Sequence, residues 1–214
     1  MAGWESLRLD LLRIREESPR AFVVYPDPHT ERRHERQFRI RLAAWATGIA
    51  EELHTKYGEL VDLQVGALGF PGKELRYGEQ IFEMAGEPAE VVGLTVEAPS
   101  PLTIRSGYFA KLDVLVTNRA DHQQTLVNVR SLHTAVTDSA GAVVGRYAGL
   151  TSEPRTELAI DPGQTLALPA RVGTASLVPT LGYAVPPGRW SLVVSLITLT
   201  GFYLSLPLEL TITP

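Results

Sequence analysis

The sequence predicts an α+β chain, with a small α/β unit over residues 1–87 followed by an antiparallel β-sandwich over 88–214. Two textures predict it. Up to residue 68, apolar residues recur mostly at spacings of three and four with brief alternating runs between, the pattern of amphipathic helices joined by strands. From residue 93 onward, short alternating runs are cut by turn residues every 8 to 15 positions, the rhythm of a sandwich. A third observation sets the scale: 214 residues, 44% hydrophobic and 21% charged, suffice for one or two compact domains and lie far from the composition of disorder.

In order along the chain, residues 4–17 place Leu7, Leu11 and Ile14 at spacings of four and three, with Leu9 and Leu12 widening the stripe. This predicts a short amphipathic helix, ended by Ser18-Pro19. Ala21-Phe22-Val23-Val24-Tyr25 is β-branched and aromatic, and reads as a strand closed by Pro26-Asp27-Pro28. Over 35–57, Phe38, Leu42, Trp45, Ala46, Ile49, Leu53 and Tyr57 recur every three or four residues, predicting a long helix with Gly58 as its stop. Residues 61–68 alternate as a half-buried strand before Pro71-Gly72, and strand, helix, strand together suggest a βαβ-like unit with the first helix beside it. Residues 69–88, rich in Gly and Glu, read as a connector.

Beyond it, strands are expected over 93–97, 102–104, 110–118, 126–129, 132–137, 143–147, 156–160, 165–172, 189–199 and 202–213. Ser106-Gly107, Asn118-Arg119-Ala120-Asp121, Ser139-Ala140-Gly141, Asp161-Pro162-Gly163 and Pro187-Gly188 supply the reversals between them. Residues 190–208 carry no charge and approach the length of a membrane-spanning helix. Their Val, Ile, Thr and Ser content, with Gly201 and Pro207 inside, predicts two strands and a hairpin and no membrane span.

Three segments carry a resemblance: Leu112-Asp113-Val114-Leu115-Val116-Thr117-Asn118, Ile160-Asp161-Pro162-Gly163-Gln164-Thr165, and Val185-Pro186-Pro187-Gly188-Arg189-Trp190. A strand ending in Thr-Asn, a Pro-Gly turn, then Pro-Pro-Gly before an aromatic strand resembles the bacterial immunoglobulin-like modules, the intracellular proteinase inhibitor family among them. The resemblance covers about residues 90–213 and implies an immunoglobulin-like sandwich. It implies no site residue, because one sandwich hosts many activities. The whole chain is also similar to proteins of actinobacteria in which a helix ending like Leu53-His54-Thr55-Lys56-Tyr57-Gly58 precedes an apolar strand and such a sandwich.

For function, a net charge of −4 supplies no basic face for general nucleic-acid binding. The absence of cysteine removes disulfides, thiolate metal sites and a cysteine nucleophile, and fits a cytoplasmic protein. Glu5, Arg8, Asp10 and Arg13 interrupt any apolar signal-peptide core. His29, His34, His54, His122 and His133 match no metal-ligand spacing, and Glu51 with His54 is an ordinary i, i+3 helix pair, so neither a metal nor a cofactor is expected.

Asp27 could orient His29 as a general base, but no Gly-x-Ser-x-Gly elbow accompanies them, and no catalytic set is assigned. Arg32, Arg33 and Arg36, followed by Arg39 and Arg41, form a candidate anion-binding cluster at the expected start of the long helix. The final hairpin is apolar on both faces, so Leu199, Phe202, Tyr203 and Leu204 are candidate partner contacts if exposed, and a core under the N-terminal helices if covered. The resulting expectation is a non-enzymatic interaction or assembly protein with a protein partner or a homodimer. A proteinase inhibitor presenting a loop over 149–156 and an enzyme using Asp27 and His29 are the alternatives.

Overall fold

The structure, a computed structural model, describes residues 2–24, 38–72, 74, 84, 86–149 and 154–214. The first unit comprises α1 (Ala2–Glu17), β1 (Phe22–Val24), β2 (Phe38–Leu42), α2 (Thr47–Tyr57), β3 (Val61–Val65) and β4 (Leu68–Phe70). Its sheet runs in the order β1-β2-β3-β4. β2 and β3 are parallel, with Phe38 beside Val61 and Leu42 beside Val65, and α2 crosses between them; the two outer pairs are antiparallel. Alternation decides the faces: Phe38, Ile40, Leu42, Val61, Leu63 and Val65 pack with Leu7, Leu11 and Ile14 of α1 and Ala50 and Leu53 of α2.

Two expectations are corrected. The helix expected over 35–57 begins only at Thr47, and Phe38–Leu42 is a strand. Phe38 and Leu42 satisfy a helical and a strand period alike, and Ile40, fully buried between exposed Arg39 and half-buried Arg41, shows that the period here is two. The parallel partner of β3 is therefore β2, whereas the segment expected to serve that role, now β1, lies antiparallel on its far side.

The two helices are tied by charge. Asp10 accepts from Lys56 Nζ and from the Tyr57 hydroxyl, each at 2.6 Å, and Arg13 donates to Glu52 at 2.5 Å. The Lys56 ammonium, followed by the Tyr57 hydroxyl, holds the Asp10 carboxyl below the ordinary carboxylate range. With an unfolded value of about 3.9, this contribution is complete above that pH and is lost as pH falls through the lowered folded value. Asp10→Asn is expected to cost about 1 kcal/mol at neutral pH and to flatten the acid limb of the urea midpoint against pH. An acid limb identical to that of the wild type would count against this contact.

The sandwich comprises β5 (Glu87–Pro88), β6 (Leu94–Glu97), β7 (Leu102–Arg105), β8 (Phe109–Asn118), β9 (Gln124–Val127), β10 (Leu132–Thr137), β11 (Val143–Arg146), β12 (Glu157–Ile160), β13 (Thr165–Gly173), β14 (Ala175–Ser176), β15 (Gly188–Thr198), β16 (Phe202–Leu204) and β17 (Leu208–Thr213). One layer is β6-β8-β13, all antiparallel. The other is β11-β10-β15-β17-β7, in which β7 lies parallel to β17. Leu132 and His133 run parallel beside Ala170 and Arg171 and join the layers at one corner. Between the layers, Val114, Val116, Leu168, Val194 and Leu196 form one part of the core, and Val136, Leu192, Leu210 and Ile212 the other. An initial strand in one layer, whose continuation runs parallel to the last strand of the other, is the layout of an immunoglobulin-like sandwich.

The turns are stapled by side chains. Asn118, wholly buried, donates from its amide nitrogen to the carbonyls of His122 and Ile160, and its amide oxygen accepts from the Ala120 N–H. The two units meet at two aromatic contacts. Trp45 stacks on Tyr108 with ring centroids 5.5 Å apart, and Phe70 lies 5.9 Å from Tyr183, whose hydroxyl donates to the Gly69 and Pro71 carbonyls.

Candidate functional site

The final hairpin is built to hold its tip still. The Thr198 N–H donates to the Gly201 carbonyl, and the Thr198 hydroxyl oxygen accepts from the N–H groups of Thr200 and Gly201. The Tyr203 hydroxyl is hydrogen-bonded to Thr200 Oγ1 at 3.2 Å. Side-chain hydroxyls thus satisfy the amides that a tight reversal would leave to water. On this frame Leu199 and Phe202 are each 60% exposed, and Leu206 just beyond is 63% exposed.

Strand alternation sorts the four hairpin residues singled out in the sequence. Phe202 faces outward and Leu204, on the same face, is half-buried, whereas Tyr203 points into the core and is only 7% exposed. Tyr203 is therefore a strut under the tip, and the outward contacts are Leu199, Phe202, Leu204 and Leu206; the single strand expected over 202–213 is broken between Leu204 and Leu208, and Leu206, not among the residues singled out in the sequence, lies in that break. The N-terminal helices do not cover the tip: the buried apolar residues of α1 (Leu7, Leu11, Ile14) and of α2 (Ala50, Leu53) pack on the first sheet, while Leu9 and Leu12 of α1 are exposed. The edge of β16 is closed by Glu87 and Pro88, which lie parallel to Tyr203 and Leu204. Side chains rather than free backbone are what this end offers.

The outer surface continues from the hairpin across the sheets. Register places Leu204 beside Ser195, Ser195 beside His133, His133 beside Arg171, and Arg171 beside Lys111. Lys111 is exposed and the other four are half-buried. Arg171 lies with its guanidinium carbon 4.9 Å from the Tyr147 ring centre, and Phe109 meets that ring edge-on at 5.1 Å. These rings border an apolar groove between the two units, of about 250 Å³ including space open to solvent, with Val23, Ala44, Tyr108 and Gly173 on its other walls.

Asp27, His29, Arg32, Arg33, Arg36 and residues 150–153 of the candidate inhibitory loop lie outside the described residues. Of the neighbouring arginines, Arg39 pairs with Asp62 at 3.3 Å from the outer face of β2. His54 sets its ring edge-on to Phe70 at 5.9 Å, a packing role at the helix–hairpin contact. Among the described residues no three His, Asp or Glu side chains converge as metal ligands, and no helix is long and apolar enough to cross a membrane.

What the fold and this surface define is a β-sandwich module carrying a mixed α/β sheet at its N-terminal side. No protein-family model matches the chain, and no curated protein does. Among solved structures, the chain is similar to the CARDB domain of a Pyrococcus furiosus protein, at 12% identity and a TM-score of 0.30 over 61% of this chain and 97% of that one. It is also similar to the CooA pilin subunit of enterotoxigenic Escherichia coli, at 12% identity and a TM-score of 0.25 over 57% of this chain and 99% of that one. At these TM-scores neither likeness bears on function, which is argued from the surface alone.

Proposed function

We propose that this chain is a non-enzymatic interaction module that binds another protein chain through its sandwich, with Leu199, Phe202, Leu204 and Leu206 as the apolar contacts. The observation that carries this reading is the pairing of exposure with rigidity at the hairpin: Leu199 and Phe202 are 60% exposed on a turn whose amides are closed by Thr198. A large apolar side chain on a loose loop would lose its ordering entropy on binding. One already ordered avoids much of that cost, which is where interface hot spots gain affinity.

A photo-crosslinking amino acid placed at position 202 in cells is expected to capture a protein chain on illumination. The same reporter at Ala140, in the exposed turn between β10 and β11, should give no such adduct. Light scattering then identifies self-association: a second copy on this face gives a dimer that Phe202→Asp splits. Absence of any adduct specific to position 202 would overturn the reading.

A further inference from the structure

The hairpin opens onto the outward face of a single layer, and the chemistry of that face selects its partner. Leu192, Val194 and Leu196 of β15 are wholly buried, so Val193, Ser195 and Ile197 point outward, as do Phe202 and Leu204 of β16. Register sets Leu204 beside Ser195 and Phe202 beside Ile197, and carries the second row on from Ile197 to Val127 of β9 and from Val127 to Glu157 of β12. Leu126 lies in the core, so Val127 turns outward with Ile197. Among the described residues of β16, of β15 from Val193 onward and of β9, none is Asp, Glu, Lys or Arg. The first charge along the row is Glu157, roughly 14 Å from Phe202 at the usual strand spacing, and Arg155 neutralises it at 2.8 Å.

In a contact between two copies related by a two-fold axis, a residue near the axis meets itself, so any charge there meets its own sign. A different protein imposes no such condition, and interfaces of that kind use opposite charges to fix register and to exclude wrong partners. These strands offer a foreign chain no charge to recognise. Each copy carries −4, so two copies repel as they approach, and a contact between them has to fall where charge is absent.

We infer that the partner in the proposed interaction is a second copy of this chain, docked hairpin face to hairpin face across a two-fold axis, with Leu204 and Ser195 nearest the axis and Phe202 of each copy packed on the other. The inference rests on the reading of the hairpin as a docking surface. Two sheet faces pack about 10 Å apart with their side chains interdigitated. The turn closed by Thr198 holds Leu199 and Phe202 in place for that packing. Such a contact uses the same face on both copies, so the assembly closes at two.

Sedimentation equilibrium of the full chain, from about 1 to about 200 μM, is expected to show a monomer and a dimer in exchange. Phe202→Asp should raise the dissociation constant about tenfold or more, and since that side chain is 60% exposed its replacement leaves the fold in place. Ser195→Asp, which sets two like charges at the axis, should weaken the dimer as much. Raising salt from about 50 to about 300 mM should tighten the wild-type dimer, because it screens the repulsion between the two net charges and there is no ion pair in the contact to weaken. A monomer throughout this range, with position 202 still capturing a different protein, would overturn the second copy and leave the docking surface; a monomer with no adduct at 202 would overturn both. A dimer indifferent to the two substitutions would overturn the choice of face, and one that loosens with salt would overturn the charge-free contact.

Discussion

Asn118→Asp is expected to unfold the sandwich at markedly lower urea than the wild type, with a loss of about 3 kcal/mol of a total that is normally 5–15. The change alters one atom, and its effect comes from where that atom lies. The Asn118 amide nitrogen sits 2.8 Å from the His122 carbonyl and 2.8 Å from the Ile160 carbonyl, two oxygens that can only accept. A carboxylate there brings acceptor against acceptor with no solvent access, because the side chain is wholly buried. The backbone adds to the lock: Asn118 N–H donates to the Gln164 carbonyl at 3.0 Å, and the Gly163 N–H to the Asn118 carbonyl at 2.8 Å. One residue thus ties the end of β8, the turn that follows it and the turn before β13. Asp113→Ala, on the exposed face of the same strand, should change the midpoint by no more than about 0.5 kcal/mol. Equal midpoints for the two variants would mean that the staple is dispensable.

That staple shows what was legible in the sequence. The strand ending in Thr117-Asn118 and the later Asp161-Pro162-Gly163 stand out as a motif because each end needs special chemistry, and the structure shows the two ends hydrogen-bonded to each other. Strands of the sandwich were legible where inward residues alternate, as in β8, β13 and β15. The two-residue strands β5 and β14 were not, since two residues have no period and their pairing is decided by partners far along the chain. β2 was misread because Phe38 and Leu42 fit both periods. The hairpin site was legible as an apolar tip, but the inward turn of Tyr203 depends on the β15–β16 register, and the row of Lys111, Arg171 and His133 exists only once three strands distant in sequence are laid side by side.

The contact between the two units yields the other large effect, and the protein contains its own controls. Gly107, Gly141 and Gly163 all hold left-handed backbone, with φ of +79°, +83° and +75°. Alanine at any of them carries a similar conformational cost, about 1 kcal/mol. They differ in what a Cβ would meet. At Gly141 and Gly163 there is nothing within 4 Å, whereas at Gly107 the new carbon would lie 2.8 Å from the Trp45 backbone nitrogen and 2.9 Å from its Cβ. Trp45 is the residue that stacks on Tyr108, one position along, so it has to move as backbone and carry its ring off that stack. Gly107→Ala is therefore expected to cost about 2–3 kcal/mol more than Gly163→Ala, the surplus being lost ring stacking and disturbed packing where the units meet. Urea midpoints measure the surplus, and cleavage by a protease at residues 43–46 should accelerate in Gly107→Ala alone. If the three alanine variants lose equal stability, the Trp45 segment yields to the methyl at no cost, and the close approach of the two units at Gly107 contributes nothing to holding them together.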